Sequence, residues 1–390
     1  MLTEPFIEID SYKISKHCRA VSGDVIQTRR LDNNRVLSIL CDGLGSGVEA
    51  NVLASFTASM GIEYISDDID SVKAAEMIMD ALPLCPYRKI SYSTFSLVDI
   101  YSDRSVRVIE YGNPQFLFFK GSQQVNCSSK VLQRSRWDTR SLNYTNFNAE
   151  VGDRIIIMSD GVTQSGIGSS AWPMGYGENK VGEYISGLLQ VYPQISAGEL
   201  SRKIGERALL NDNDDPGDDI SCLVLYIRQP RKLRVLTGPP VDPKRDSEYA
   251  ALLTNWNGRS AVCGGTTANI VERELGKTAE MDFSTIDPCI PITSTMDGVD
   301  LISEGCITLG YCVQMLEDNE LFKAKRNGSA LLKELLLSSD VIEFYVGTRI
   351  NQAHQDPDLP LELDIRRNTI KKMCALLEKE YLKKTVIRYF

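Results

Sequence analysis

Short apolar runs and longer helical periodicities alternate along this chain in an order that predicts a mixed α+β protein. Residues 36–41 and 154–158 are strand-like, and each leads into an Asp-Gly pair, Asp42-Gly43 and Asp160-Gly161. Further strands are expected over 93–101 and 105–111, joined by the turn Ser102-Asp103-Arg104, and over 115–119 and 221–226. Val48, Val52, Phe56 and Met60 recur at near-helical spacing within 46–65, behind Ser46 as candidate cap, and 71–82 reads as a second amphipathic helix. Helical patterns return over 180–190 and 196–210. Helix pair, antiparallel strands, helix pair is the order expected of two sheets packed together beneath helices.

The pattern changes near Arg231. A strand over 233–236 runs into Thr237-Gly238-Pro239-Pro240, followed by a helix from about Asp246, a strand over 260–262, the loop Cys263-Gly264-Gly265-Thr266-Thr267 and a helix through Glu274. Strands 299–302 and 341–346 lead likewise into Ser303-Glu304-Gly305 and Gly347-Thr348, and a charged amphipathic helix is expected over 360–384. This repetition predicts a smaller α/β domain over 230–390 behind a first domain over 1–229. In a parallel sheet such loops meet at the strand carboxyl ends, where ligands usually sit. The Gly264-Gly265-Thr266-Thr267 helix start either receives an anion on its backbone N–H groups or is a plain turn and cap; it is neither a P-loop nor a dinucleotide fingerprint.

Four acidic motifs stand beside the strands of the first domain: Ser22-Gly23-Asp24, Cys41-Asp42-Gly43, Ser159-Asp160-Gly161 and Gly217-Asp218-Asp219-Ile220-Ser221. A carboxylate at a strand end is rigidly aimed, and a neighbouring glycine lets the backbone turn sharply and come close to an ion. Three or four carboxylates gathered at one sheet edge repel unless cations neutralise them, and oxygen-only donors suit Mg²⁺ or Mn²⁺ rather than zinc. Taken singly, each aspartate is as readily a turn or helix-cap residue. Taken together they point to a metal site.

In order and strand context, Ser22-Gly23-Asp24, Asp42-Gly43-Leu44-Gly45-Ser46-Gly47, Gly112-Asn113-Pro114, Gly152-Asp153-Arg154 with Asp160-Gly161-Val162, and Asp218-Asp219-Ile220-Ser221 resemble the metal-dependent Ser/Thr protein phosphatases (type 2C, PPM) of the SpoIIE and RsbU branch. The resemblance covers roughly residues 11–229 and implies an αββα sandwich, followed here by the smaller α/β domain. It implies a centre of two Mn²⁺ or Mg²⁺ ions. Asp42 would bridge them, with the Gly43 carbonyl on one ion, Asp160 and Asp218 on the other, and Asp24 on the second-ion side directly or through water. Asp219 belongs to the same metal-binding set and is expected behind the ligands. Asp42, Asp160 and Asp218 are thus the implied catalytic residues, and the implied reaction is in-line attack of an activated water on a phosphoserine or phosphothreonine, with no phosphoenzyme.

The chain departs from the wider family at the proton step. Eukaryotic members carry a histidine after the Asp-Gly pair where this chain has Leu44, so the leaving group is expected to take its proton from water. His17 and His354 are the only histidines; His17 stands near Asp24 in sequence, with catalytic and surface roles both open. Arg19, Arg29 and Arg30 are candidates for the family's phosphate-binding arginine. Gly112-Asn113-Pro114 is read as a turn. Residues 161–178, rich in Gly and Ser around Trp172, Pro173, Met174 and Tyr176, occupy the place of the family's flap, with substrate recognition or gating weighed against a surface loop.

Composition narrows the surroundings. A net charge of −9 argues against nucleic acid as main partner. Ten cysteines without a CxxC pair, and two histidines, exclude the usual zinc signatures and suit free thiols in a reducing, cytoplasmic setting. No signal peptide or membrane span is expected. The resemblance implies a phosphorylated regulatory protein, of the anti-sigma-factor antagonist type, as substrate partner, with a homodimer left open. Control is expected from the C-terminal domain or a separate partner. The alternative is a non-catalytic signalling scaffold whose C-terminal domain binds a ligand or partner.

Overall fold

The computed structural model describes residues 4–17, 21–31, 34–45, 47–83, 91–137, 140–254, 256–318, 326–349 and 359–390, with side chains omitted over 359–364. The chain divides into two compact units, Pro5–Gln229 and Pro230–Phe390.

The first unit runs β1 (Phe6–Ile14), β2 (Val25–Arg30), β3 (Val36–Gly43), α1 (Val48–Ser66), α2 (Ser71–Ala81), β4 (Ser93–Ile100), β5 (Ser105–Tyr111), β6 (Leu117–Lys120), β7 (Gln123–Gln124), β8 (Ser129–Gln133), β9 (Ser141–Asn148), β10 (Arg154–Met158), α3 (Asp160–Thr163), α4 (Glu178–Val191), α5 (Ala197–Asn211) and β11 (Ile220–Arg228). Its strands form two antiparallel sheets, β1-β11-β10-β6-β7 and β2-β3-β4-β5-β9-β8. Because successive strand residues face opposite sides, each central strand serves two cores. In β3, Leu37, Ile39 and Cys41 pack with α1 and α2, while Val36 and Leu40 join Val98, Val108, Ile155, Ile157 and Leu225 between the sheets. Ile156, Met158, Cys222 and Val224 do the same on the far side against α4 and α5. The architecture is an αββα sandwich.

The helix expected over 46–65 forms, but its apolar face is not the one its large residues mark. Val48, Val52 and Phe56 are 66%, 59% and 59% exposed, and of that set only Met60 is buried. The inward face is built instead of Ala50, Ala54, Thr57, Ala58, Gly61, Ile62 and Ile65. Close approach to β3 explains the small residues: a Cβ at Gly61 would stand 2.8 Å from the Ile39 side chain. Gly47 is the helix cap and gives no side-chain bond; Ser46 lies outside the described residues.

Glu110, on β5, is buried and accepts a 2.7 Å bond from Phe116 N. Burial, aided by the nearby Glu178 charge and opposed by that bond, pushes its pKa up to about 8. A carboxyl raised above its unfolded value stabilises the fold at low pH, and that contribution is lost as pH climbs through the folded pKa. Glu110→Gln keeps an acceptor for Phe116 and cannot ionise, so its urea midpoint should match the parent at pH 5 and exceed it at pH 9. A parent midpoint equal to the variant's at both pH values would refute the shift.

The second unit runs β12 (Lys232–Thr237), α6 (Asp246–Ala251), β13 (Arg259–Cys263), α7 (Gly265–Leu275), β14 (Glu280–Asp282), β15 (Thr293–Met296), β16 (Val299–Ser303), α8 (Cys306–Glu317), α9 (Gly328–Leu337), β17 (Val341–Val346), α10 (Leu359–Lys379) and β18 (Lys384–Tyr389). Strands β16-β13-β12-β17-β18 are parallel neighbours, with β15 and β14 added antiparallel at one edge. α8, α9 and α10 cover one face, α6 and α7 the other, giving a doubly wound α/β sheet. The helix expected over 360–384 stops at Lys379, and β18 follows as an edge strand. Its Thr385, Val386 and Ile387 are half-buried, and β-branched residues of this kind suit a partly covered strand better than a helix face.

Candidate metal centre

The acidic motifs come together because strands from both sheets end at the same place. β3 delivers Asp42 near its carboxyl end, paired with Thr94 of β4. Gly43 can be nothing larger, since a Cβ there would stand 2.1 Å from the carbonyl oxygen of Ala50 in α1. β10 delivers Asp160 as the first residue of α3, and Gly161 packs so closely on the opening of β11 that a Cβ would stand 2.1 Å from Asp219 O. Ser159 stitches the two ends: its N donates to Ser221 O at 3.0 Å, its Oγ donates to Asp219 O at 3.2 Å and accepts from Ser221 N at 3.0 Å.

Asp24 arrives on the loop between β1 and β2 and is 1% exposed. Asp219 holds that loop in place, with Oδ2 accepting Gly23 N at 2.7 Å and Oδ1 accepting Lys16 N at 2.8 Å. Asn51 of α1 adds a 2.7 Å bond to Ser22 O. Both Asp219 oxygens are therefore committed to backbone donors, and its role in the structure is to position the Ser22-Gly23-Asp24 turn. Asp218 is half-exposed at the rim of the cluster, with Lys16 Nζ at 3.9 Å, and its charge acts on Asp160 and Asp42.

The electrostatics register the crowding. Burial first, then the charges of Asp24, Asp160, Asp218 and Asp219, push the Asp42 carboxyl up to about 9. Burial raises Asp24 to about 7, against the lowering effect of the Ser221 and Ser159 hydroxyls and with help from Asp219 and Asp160. Asp160 is raised by burial and by Asp218, while contact with Asp42 and the 2.8 Å bond from Gln164 Nε2 oppose the rise. The Ser221 hydroxyl is near Asp24 but not aligned with it, so Asp24 Oδ2 and Ser221 Oγ are both buried without a hydrogen bond of good geometry. Among the described residues no three His, Cys, Asp or Glu side chains form a group that could hold a metal ion as they stand. An orphaned, buried carboxylate oxygen beside the Asp42 and Asp160 carboxyls, both of which burial pushes up, is nonetheless a donor set that fits a hard divalent cation.

Other expected participants stand elsewhere. Arg29 is paired with Glu63 at 2.5 Å, and Arg30 lies over the Phe6 ring and donates to Ile7 O at 2.7 Å, so neither reaches the carboxylates. His17 is exposed and bonded through Nδ1 to Asp215 at 2.5 Å. Arg19 and His354 lie outside the described residues. Gly112-Asn113-Pro114 does form a turn, with Gly112 at φ +77°. A bracing role not foreseen from the sequence falls to Asn113, whose Oδ1 accepts from Thr94 Oγ1 while its Nδ2 donates to Leu40 O and Ser96 Oγ, tying β3 to β4 behind Asp42. In the 161–178 segment, Trp172 and Tyr176 meet edge to face at 4.9 Å and anchor it inward, so the aromatic pair is structural. Ile167 and Met174 are the large apolar residues it presents to solvent, 62% and 88% exposed.

Asp219→Ala frees Gly23 N and Lys16 N together. It should weaken divalent-cation binding by about 10- to 100-fold, as loss of a residue holding a ligand typically does, without abolishing it. Calorimetric titration with Mn²⁺ checks this; unchanged affinity would show that the turn is held without Asp219.

The sequence profile described as Stage II sporulation protein E (SpoIIE) matches residues 32–228. Among solved structures, the PP2C phosphatase domain with a fragment of the regulatory domain of SpoIIE from Bacillus subtilis is 20% identical, with a TM-score of 0.48, over 57% of this chain and 62% of that one. The RsbU and RsbW domains of Rv1364c from Mycobacterium tuberculosis are 16% identical, TM-score 0.47, over 65% and 68%. RsbX in complex with magnesium is 17% identical, TM-score 0.41, over 58% and 98%. This chain thus spans less than two thirds of the SpoIIE structure it matches. No curated protein matches it. Among the described residues no helix is long and apolar enough to cross a membrane. With the profile covering half of the chain and the αββα sandwich in place, the chain belongs to the SpoIIE family of PP2C-type phosphatase domains.

Proposed function

We propose that the first unit is a divalent-cation-dependent phosphatase acting on phosphoserine or phosphothreonine of a regulatory protein, the class of partner that the SpoIIE and RsbU resemblance implies. The observation that carries the reading is the orphaned Asp24 Oδ2, buried beside Asp42 and Asp160 at the meeting point of three strand ends. Asp42, the Gly43 carbonyl, Asp160, Asp218 and Asp24 would hold two Mn²⁺ or Mg²⁺ ions. When bound, such a pair supplies Lewis acidity at the phosphate and a water acidic enough to attack phosphorus near neutral pH.

The chain's own residues orient that chemistry. Gln164 fixes Oδ2 of Asp160 with a 2.8 Å bond. Asn113 keeps the β3 end rigid, and Ser159 locks the β10 and β11 ends to one another. Among the described residues no histidine is offered for proton transfer: Leu44 occupies the place after Asp42-Gly43, and His17 is engaged with Asp215.

The test is turnover of a phosphorylated peptide and of a small aryl phosphate by the purified full chain, with Mn²⁺ or Mg²⁺ titrated in and then chelated. Cation-dependent release of phosphate supports the reading. Absence of turnover together with absence of cation binding by calorimetry would shift it to a signalling scaffold.

A further inference from the structure

At the carboxyl edge of the second unit's sheet the parallel strands end in register: Ser303 beside Cys263, Cys263 beside Thr237, Thr237 beside Val346. The next residues are Glu304, Gly264, Gly238 and Gly347, three of the four without a side chain. Gly347 is explained by packing, since a Cβ there would stand 2.2 Å from the carbonyl oxygens of Gly238 and Pro239. At Gly238, with φ +77°, the space a side chain would fill is taken by the Arg366 guanidinium, whose Nη1 lies 2.6 Å from the Cβ position. Gly264 meets no crowding of this kind. The nearest atom to its Cβ position is Thr267 Oγ1 at 3.3 Å.

Three polar groups here lack partners. Thr267, the third residue of α7, is fully buried, turns its hydroxyl back towards the helix start, and makes no hydrogen bond. Thr237 Oγ1, at the end of β12, is buried and unbonded in the same way. Arg366 on α10 makes no hydrogen bond or ion pair among the described residues, and its Nε is buried. The start of α7 is itself open: Gly264 supplies no capping side chain, and Gly265 and Thr266 are exposed. The neighbouring helices are served otherwise, α9 by Asn327 Oδ1 on Ala330 N at 3.0 Å and α8 by Glu304 Oε2 on Ile307 N at 2.9 Å. Buried polar groups are costly to leave unpaired, and a free cation beside uncapped N–H groups and orphaned hydroxyls is the arrangement an anion completes.

We infer that this edge receives a small phosphorylated ligand, its phosphate bound by the start of α7, the Thr267 hydroxyl and Arg366. The doubly wound order, with helices leaving β12 and β17 to opposite faces, makes this end of the sheet the expected ligand side. Glu304, one strand over, sets the rest of the ligand. Its charge rejects a second anionic group on that side and offers an acceptor to a hydroxyl, so a single phosphate on a hydroxyl-bearing body fits better than a polyphosphate.

The experiment is calorimetric titration of the full chain with inorganic phosphate and with AMP, in chelator so that the first unit's carboxylates hold no cation. Saturable binding with Kd below about 1 mM is expected. Arg366→Gln should weaken it at least about tenfold, a single lost charge-assisted contact. Thr267→Val should also weaken it several-fold while melting at or above the parent temperature, because it removes an unsatisfied buried hydroxyl. AMP binding more tightly than phosphate identifies a hydroxyl-bearing ligand; equal binding identifies phosphate alone. Absence of saturable binding of either by the parent chain, or binding left unchanged by both variants, overturns the inference.

Discussion

Alanine at Asp42 is expected to lower the cation-dependent phosphatase turnover by at least about 10³-fold, about 4 kcal/mol of transition-state stabilisation, and alanine at Asp160 to do the same. Asp42 is the carboxyl on which the charges of Asp24, Asp160, Asp218 and Asp219 all act, so no other side chain in the group can replace it. The loss should not be a folding defect. Without cations Asp42 is a buried acid crowded by other carboxyls, and removing it should leave the melting temperature in chelator equal to or above that of the parent. Turnover within about tenfold of the parent in either variant would show that the chemistry does not run through these carboxylates. His17→Ala is the useful contrast, since an exposed imidazole tied to Asp215 should be dispensable.

The second large effect is a stability that falls with rising pH in the absence of cations and is restored by them at high pH. In chelator, Asp42 and Asp24 hold their protons to about 9 and about 7, whereas in the unfolded chain they ionise as ordinary carboxylic acids. Folded values raised above unfolded ones mean stability that is fully present below about pH 4 and lost as pH rises through 7 and then 9. The loss between pH 5 and 8 should amount to several kcal/mol, on the order of one kcal/mol per unit for each group still protonated in the fold. Mn²⁺ should restore it at pH 8 and do little at pH 5, because a cation competes with the protons for the same oxygens. Urea melts at the two pH values, with and without Mn²⁺, give the four numbers needed. A flat chelator profile, or equal cation rescue at both, would mean the carboxyls are not crowded as described.

Much of this was legible in the sequence because strand ends and glycines leave strong local marks. The runs 36–41 and 154–158, each ending in Asp-Gly, locate β3, β10 and the carboxylates they carry, and Val341–Val346 emerges as β17 without adjustment. Where the sequence misled, tertiary packing had overridden pattern. Val48, Val52 and Phe56 of α1 face solvent because the inner side over that stretch approaches β3 closely and is built of Ala50, Ala54, Thr57 and Ala58, a constraint no single-helix periodicity contains. β18, beyond the helix expected to end at 384, was not foreseen, since its strand character comes from pairing with β17, residue for residue from Val341↔Lys384 to Val346↔Tyr389. The positioning roles of Asn51 and Asn113 were illegible for a related reason: each works through a bond to backbone distant in sequence, and an isolated Asn announces no such partner.

The pairing of β1 with β11 bears on how the chain is made. Every residue of β1 from Phe6 to Ile14 is matched to one between Arg228 and Ile220, so the first strand of this unit waits for its last. On a ribosome, Ile7 and Ile9 remain uncovered while more than half of the chain is elongated, and the sheet carrying β10 has an unsatisfied edge until β11 emerges and β1 closes over it. Long-range closure of this kind slows folding and lengthens the exposure of strand edges. A vectorially translated chain therefore reaches its carboxylate cluster in a single late event, when Asp218 and Asp219 arrive at the ends of strands already in place.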